Sequence, residues 1–257
     1  MKIVTLTENA SVSEAIMAEH GLSLYIETGE KKILFDMGQT DAFIQNAQKI
    51  GIDLSQVDFA VLSHGHYDHG GGLYAFLKVN QKAPVYLHKA AFGEYYNGTQ
   101  KYIGLDASLQ GGDRLVFTEG SVQLLPGIRL MDCNDQNWQY DAWGLNCKEQ
   151  AQFFPDPFLH EQYLEITEGQ KRILISGCSH KGILNIAQYF QPNILLGGFH
   201  LNKQEKPEIL KATAQALLAT GTQYYTGHCT GSKQLAIMKQ IMGEKLLSIS
   251  AGTVVEI

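Results

Sequence analysis

Leu62-Ser63-His64-Gly65-His66-Tyr67-Asp68-His69-Gly70-Gly71-Gly72 gathers four ligand-type side chains into six residues. Neutral imidazole and carboxylate are good ligands for Zn(II), Fe(II) or Mn(II). His64 and His66, two apart on extended backbone, point to one side, and Asp68 and His69 reach a second position round the following turn. Four such groups cannot all face one ion without strain, so two adjacent divalent ions are the natural arrangement. The glycines let backbone approach closely and let the chain enter a helix. A polar loop with solvated histidines is the competing reading, and this density of ligands at this spacing argues against it.

Working outward, residues 59–62 read as a short buried strand running straight into His64, and 73–79 as a helix followed by a strand at 85–87. Upstream, 2–6, 22–27 and 32–35 are strand candidates, the last two joined by a turn at Gly29-Glu30. Thr40 can cap a helix over 41–50 that Gly51 ends. Downstream, residues 90–154 read as a loop-rich insertion with strand-like pieces at 114–117, 123–125 and 128–131. That insertion carries an aromatic cluster (Phe92, Tyr95, Tyr96, Trp138, Tyr140, Trp143), which local packing explains better than a substrate wall. The last third returns to strand–helix alternation: 172–176, 183–190, 194–196, 207–219, 223–225 and 232–242. Several strands run into a histidine, at Ser63-His64, Ser179-His180, Phe199-His200 and Gly227-His228. Ligands gather where strand carboxyl ends open into loops in layered α/β folds, so these ends point to one shared site.

The 257 residues carry 44% hydrophobic and 18% charged side chains, ordinary for a globular chain that needs no disulfide for stability. We expect one domain over 1–257. The net charge of −6 argues against broad nucleic-acid binding while leaving a small phosphorylated substrate open. The start, Met1-Lys2-Ile3-Val4-Thr5-Leu6, lacks a secretory pattern, and no apolar stretch approaches bilayer-spanning length. Cys133, Cys147, Cys178 and Cys229 have neither knuckle nor disulfide-framework spacing. These features suggest a cytoplasmic protein acting on a small molecule, with no nucleic-acid or membrane partner and a homodimer left open.

The segment 64–69 fills every defined position of HxHxDH, and on it the sequence resembles the metallo-β-lactamase superfamily over nearly the whole chain. The resemblance implies an α/β fold, a four-layer αββα sandwich of two mixed sheets face to face. It implies a dinuclear, metal-dependent hydrolase with two divalent ions, zinc first and iron or manganese as alternatives. Asp36, in Leu34-Phe35-Asp36-Met37-Gly38, matches an Asp that supports the ligands from outside, although a turn residue would look the same. His228, in Thr226-Gly227-His228-Cys229-Thr230-Gly231, matches the final metal His. His160 stands where a further ligand is expected. Cys178, in Ser176-Gly177-Cys178-Ser179-His180, occupies the place of the bridging Asp. Cys178 could bridge as a thiolate, His180 could compensate for it, or Cys178 could be a small buried residue.

A narrower resemblance rests on Gly177-Cys178-Ser179-His180-Lys181-Gly182-Ile183, Gly197-Gly198-Phe199-His200-Leu201 and His228-Cys229-Thr230-Gly231. These are similar to the branch of 7,8-dihydropterin-6-yl-methyl-4-(β-D-ribofuranosyl)aminobenzene-5′-phosphate synthases. That branch implies a pterin-like, phosphorylated substrate and hydrolysis or group transfer by a metal-held hydroxide. His64, His66 and His160 would hold one ion; Asp68, His69 and His228 the other. Asp68 or the bridging hydroxide would pass a proton to the leaving group, and His200 would act in the pocket, with a strand-end cap as its alternative. Ser179, Lys181 and Thr230 would bind substrate, Lys181 pairing with an anion, although a solvated lysine and ordinary helix caps would look the same. The rivals are ester, lactone or thioester hydrolysis of the glyoxalase-II kind, and a metal-binding sensor with little turnover.

Overall fold

The apolar run that enters the histidine motif is strand β4 (Phe59–Val61), and all three residues are buried. The computed structural model describes residues 1–29 and 31–257, so the expected Gly29-Glu30 turn includes one residue, Glu30, outside the described set. Strand β4 pairs in parallel with β3 (Lys31–Phe35) and β5 (Val85–His88), and β5 in parallel with β8 (Leu115–Thr118). β1 (Lys2–Thr7), β2 (Ser23–Thr28) and β18 (Val254–Glu256) complete a seven-stranded sheet, order β18-β1-β2-β3-β4-β5-β8, by antiparallel pairing. An interior parallel strand covered on both faces favours a continuous apolar run over alternation, which is what residues 59–62 present.

This sheet belongs to a first unit comprising Met1–Glu119, Gly144–Gln162 and Ser250–Ile257. Helices α1 (Ala42–Ile50) and α3 (Leu73–Val79) give Phe43, Ala47, Leu73 and Phe76 to a core with Val4, Leu34 and Ala60. Each large side chain buried there contributes roughly 1.5–3 kcal/mol against exposure. Gly51 ends α1 in the left-handed conformation, at φ +82°, as the sequence predicts. The N-cap position falls on Asp41 and not on the expected Thr40, and Asp41 makes no side-chain capping bond, although the Thr40 hydroxyl accepts from the Ala42 N–H at 3.2 Å.

The second unit comprises Gly120–Trp143 and Tyr163–Ile249. Its sheet runs β17 (Leu246–Ser248), β16 (Gln223–Thr226), β15 (Ile194–Leu196), β14 (Lys171–Ile175), β13 (Tyr163–Glu168), β10 (Ile128–Met131) and β9 (Ser121–Leu125). β14 through β17 are parallel and the remainder antiparallel. Helix α4 (Ile183–Phe190) buries Ile183, Ile186, Ala187 and Phe190, one stripe at helical spacing. With α5 (Pro207–Ala219) and α6 (Ser232–Met242) it closes a core around Leu174, Leu195 and Tyr224.

Residues 90–154, expected to be loop-rich, hold more strand than the sequence shows. β6 (Tyr95–Asn97), β7 (Lys101–Tyr102), β11 (Leu145–Glu149) and β12 (Gln152–Pro155) make their own four-stranded antiparallel sheet in the first unit. Its strands are two to five residues long, too short for a period-two pattern to stand out. Among the described residues, no helix is long and apolar enough to cross a membrane.

Candidate metal centre

In the first unit the motif leaves β4 and turns at once into α2 (Tyr67–Gly70), a four-residue helix the sequence reading missed. Gly65 lies so close to another loop that a Cβ there would meet the Ala91 carbonyl oxygen at 2.1 Å. His64, His66 and His69 are buried, and the His64 ring centroid is 4.6 Å from that of His66 and 4.2 Å from that of His69.

Asp36 organises this cluster from the end of the neighbouring strand β3. It adopts φ +58°, a left-handed conformation that Asp tolerates better than most residues. Its Oδ1 accepts the Ser63 N–H at 2.7 Å, and its Oδ2 accepts the Ser63 hydroxyl at 2.7 Å and His69 Nδ1–H at 2.6 Å. Because the Ser63 hydroxyl spends its one proton on Asp36, it must accept from His64 Nδ1–H, 2.8 Å away. The network thus assigns both His64 and His69 the tautomer whose lone pair sits on Nε2, the form in which an imidazole binds a metal.

His66 is held neutral by burial first and by neighbouring His160 second, which push its pKa down to about 3. A neutral imidazole is the metal-binding form. Asp68 reaches out: its Oδ2 lies 3.3 Å from Nε2 of His20, a half-exposed residue, and 3.9 Å from Nε2 of His69. His20 carries no motif, and only the fold brings it here.

His160, expected as a further ligand, is hydrogen-bonded at both ring nitrogens. Its Nδ1 accepts the Gly65 N–H at 2.9 Å, so Nε2 carries the proton and donates to Asp156 Oδ2 at 3.1 Å. Both ring nitrogens are thereby committed to holding the His-Gly-His backbone and Asp156. Asp156, which the sequence reading passed over, also lies 3.9 Å from His66 Nε2. Burial alone would raise its carboxyl, but His160, His66 and the Phe158 N–H hold it below the ordinary carboxylate range. His66, Asp156 and His160 each offer a ligand atom within 4.8 Å of the others.

In the second unit the carboxyl ends of parallel strands β14, β15 and β16 lead to Cys178 and His180, to His200, and to His228 and Cys229 respectively. Ser179, His200 and His228 sit at φ +58°, +50° and +48°. The His180 and His200 rings lie in contact, centroids 4.2 Å apart and tilted by 55°. The cavity beside them, about 330 Å³, is lined by Tyr140, Trp143, Ser179, Ile183, Phe199 and Leu201 among others. The aromatics grouped in sequence therefore part: Tyr95 packs on His160 in the first unit, at 3.9 Å, while Trp138 packs on Tyr189 in the second.

The three residues expected to bind substrate have structural partners. Lys181 is buried, its ammonium donating to the Asp132 carbonyl at 2.5 Å and Asn134 Oδ1 at 2.7 Å. Thr230 accepts the Phe199 N–H at 2.9 Å and pairs with the Thr226 hydroxyl at 2.6 Å. Ser179 pairs with the Ser176 hydroxyl at 2.8 Å.

Comparison with known proteins relates the chain to a family. The chain is 29% identical to a 7,8-dihydropterin-6-methyl-4-(beta-D-ribofuranosyl)-aminobenzene-5′-phosphate synthase of Methanocaldococcus jannaschii, across all of this chain and 96% of that protein. An uncharacterised protein of the same organism is 31% identical over 93% of this chain and 94% of its own length. The solved structure of Tm1679, a metal-dependent hydrolase of the beta-lactamase superfamily, superposes with a TM-score of 0.86 at 28% identity, covering 100% of this chain and 99% of that one. The metallo-beta-lactamase superfamily profile matches residues 17–189, a span that contains Asp36, the whole histidine motif, Asp156 and His160. With that match over more than half its length, the chain belongs to the metallo-β-lactamase superfamily.

Proposed function

We propose that this protein is a metal-dependent hydrolase or group-transfer enzyme acting on a small, phosphorylated, pterin-like substrate. The observation that carries the metal half of this reading is Asp36, whose bonds set both His64 and His69 in the tautomer that presents Nε2. Three buried imidazoles and a carboxylate suit zinc, iron or manganese by the chemistry of the donors alone. His64, His66, Asp68 and His69 would hold divalent metal here, with His180, Cys178 and His228 as further candidates from the resemblance. Bound there, such ions would polarise the scissile bond and lower the pKa of water toward neutrality.

The rest of the chemistry falls to the chain itself. Asp68 Oδ2 would exchange a proton with the reacting groups, and His20, against it at 3.3 Å and half exposed, would relay that proton to solvent. His69 is held against Asp36 and cannot swing away while that bond stands. The substrate half rests on the synthase relative, whose name carries an aminobenzene phosphate and a dihydropterin.

The test is turnover by protein stripped with chelator and reloaded with zinc, iron or manganese. Phosphomonoesters, phosphodiesters, lactones, thioesters and a dihydropterin with a phosphorylated aminobenzene riboside form the panel. Metal-dependent turnover of the phosphorylated members, abolished by Asp68→Ala, supports the proposal. Turnover of lactones or thioesters alone would move the substrate assignment to ester-type hydrolysis. Metal binding without turnover of any member would leave a sensor.

A further inference from the structure

The cavity of about 330 Å³ in the second unit has mostly apolar and aromatic walls, among them Tyr140, Trp143, Ile183, Phe199 and Leu201. Tyr140 and Trp143 come from a loop that is tied down at both ends. Asn185, on α4, donates through Nδ2 to the Gln139 carbonyl at 2.9 Å and to the Lys181 carbonyl at 2.8 Å. Lys203 Nζ donates to the Trp143 carbonyl at 2.6 Å, and Asp141 Oδ1 accepts the Trp143 N–H at 2.7 Å. Between these bonds Trp143 sits at φ +52°, a costly conformation for a bulky side chain. An aromatic wall fixed before any ligand arrives lowers the ordering cost of binding.

Size, charge and polar complement decide which part of a substrate fits there. The volume lies at the small end of the range for ligand pockets, about 300–1,000 Å³, so the cavity takes one ring system and not a whole pterin–aminobenzene–sugar conjugate. None of the described residues lining it is Lys or Arg, and Asp141 is among them, so a phosphate is repelled. Both N–H groups of the Asn185 amide are spent on carbonyls, which leaves its Oδ1 to accept, and Asp141 has Oδ2 left to accept. His200, which also lines the cavity, has both ring nitrogens buried with no hydrogen-bond partner among the described residues. A benzene ring has no polar atom of its own to answer these groups. The 2-amino-4-oxopyrimidine edge of a pterin presents adjacent N–H donors, the complement of a carboxylate. We propose that this cavity is the pocket for the pterin ring, with Trp143 and Tyr140 as its aromatic walls and Asp141 accepting from the 2-amino edge. This assignment rests on the pterin-like substrate proposed above, and it leaves the phosphate to be met elsewhere.

Isothermal titration calorimetry of the full-length protein, its metal content measured in every sample, tests the pocket without requiring turnover. The probes are 6-methylpterin, 6-methyllumazine (the same bicycle with oxygen in place of the 2-amino group) and phenyl phosphate. The wild type should bind one 6-methylpterin per chain, roughly tenfold or more tighter than 6-methyllumazine. Trp143→Ala should weaken 6-methylpterin by roughly tenfold, the loss of one stacking partner, with metal content and phenyl phosphate affinity unchanged. Asp141→Asn keeps an acceptor for the Trp143 N–H and should abolish the preference for the 2-amino compound. Asp141 is exposed, so this variant carries the test should Trp143→Ala fail to fold. A wild type that does not bind 6-methylpterin overturns the proposal, as does phenyl phosphate affinity falling in step with it in Trp143→Ala. Pterin bound by these rules without turnover of any phosphorylated substrate upholds the pocket while the catalytic reading fails. Turnover of such a substrate, with pterin affinity untouched by both variants, overturns the pocket while that reading stands.

Discussion

Asp36 Oδ2 lies 2.6 Å from His69 Nδ1 and 2.7 Å from the Ser63 hydroxyl, which in turn accepts from His64. One carboxylate on a left-handed backbone thus sets the protonation of two imidazoles thirty residues downstream. Asp36→Asn should keep the backbone, because Asn also tolerates that conformation. An amide offers one acceptor oxygen where the carboxylate offers two, so the bonds to His69 and Ser63 cannot all be kept. We expect roughly a 10–100-fold loss of metal affinity with the fold retained, read by metal titration and circular dichroism.

Gly65 separates the first two histidines and has no room for a side chain, its hypothetical Cβ falling 2.1 Å from the Ala91 oxygen. Gly65→Ala must push the His-Gly-His segment off the neighbouring loop. A destabilisation of about 1–3 kcal/mol in urea denaturation is expected, together with a lower metal content after purification.

Lys181 is 3% exposed and ties down the Asp132 and Asn134 loop. Lys181→Met should therefore lower stability by about 1–3 kcal/mol, the cost of leaving buried acceptors unanswered. For any phosphorylated substrate that turns over, KM should stay within about twofold of the wild type. A large rise in KM with stability unchanged would instead restore the lysine as an anion-binding group.

His66 provides a pH test in the metal-stripped protein. Its folded pKa, about 3, lies below the ordinary 6.5, so between those values the unfolded chain holds the extra proton. Stability therefore falls as pH drops below about 6.5, with a limiting slope of about 1.4 kcal/mol per pH unit. Unfolding free energies from urea denaturation at pH 7 and pH 5 should differ by about 2 kcal/mol in the stripped wild type, and by clearly less in His66→Gln.

The sequence alone determined the histidine and aspartate cluster at 64–69, most of the strands and helices that frame it, and the superfamily. The reason is local: ligand spacing along one short segment and the buried stripe of α4 both show in consecutive residues. Asp36 was also legible, because its motif is short, but its control over both tautomers was not, since that runs through the Ser63 hydroxyl. Only the tertiary structure showed what engages the two His160 nitrogens, by bringing the Gly65 N–H to one and Asp156 to the other. It also found His20 against Asp68, committed Lys181 to a loop, and set Cys229 beside Cys178 and His200. None of these is visible along the chain, because each depends on partners brought together by strand pairing, where neighbours in space can lie a hundred residues apart.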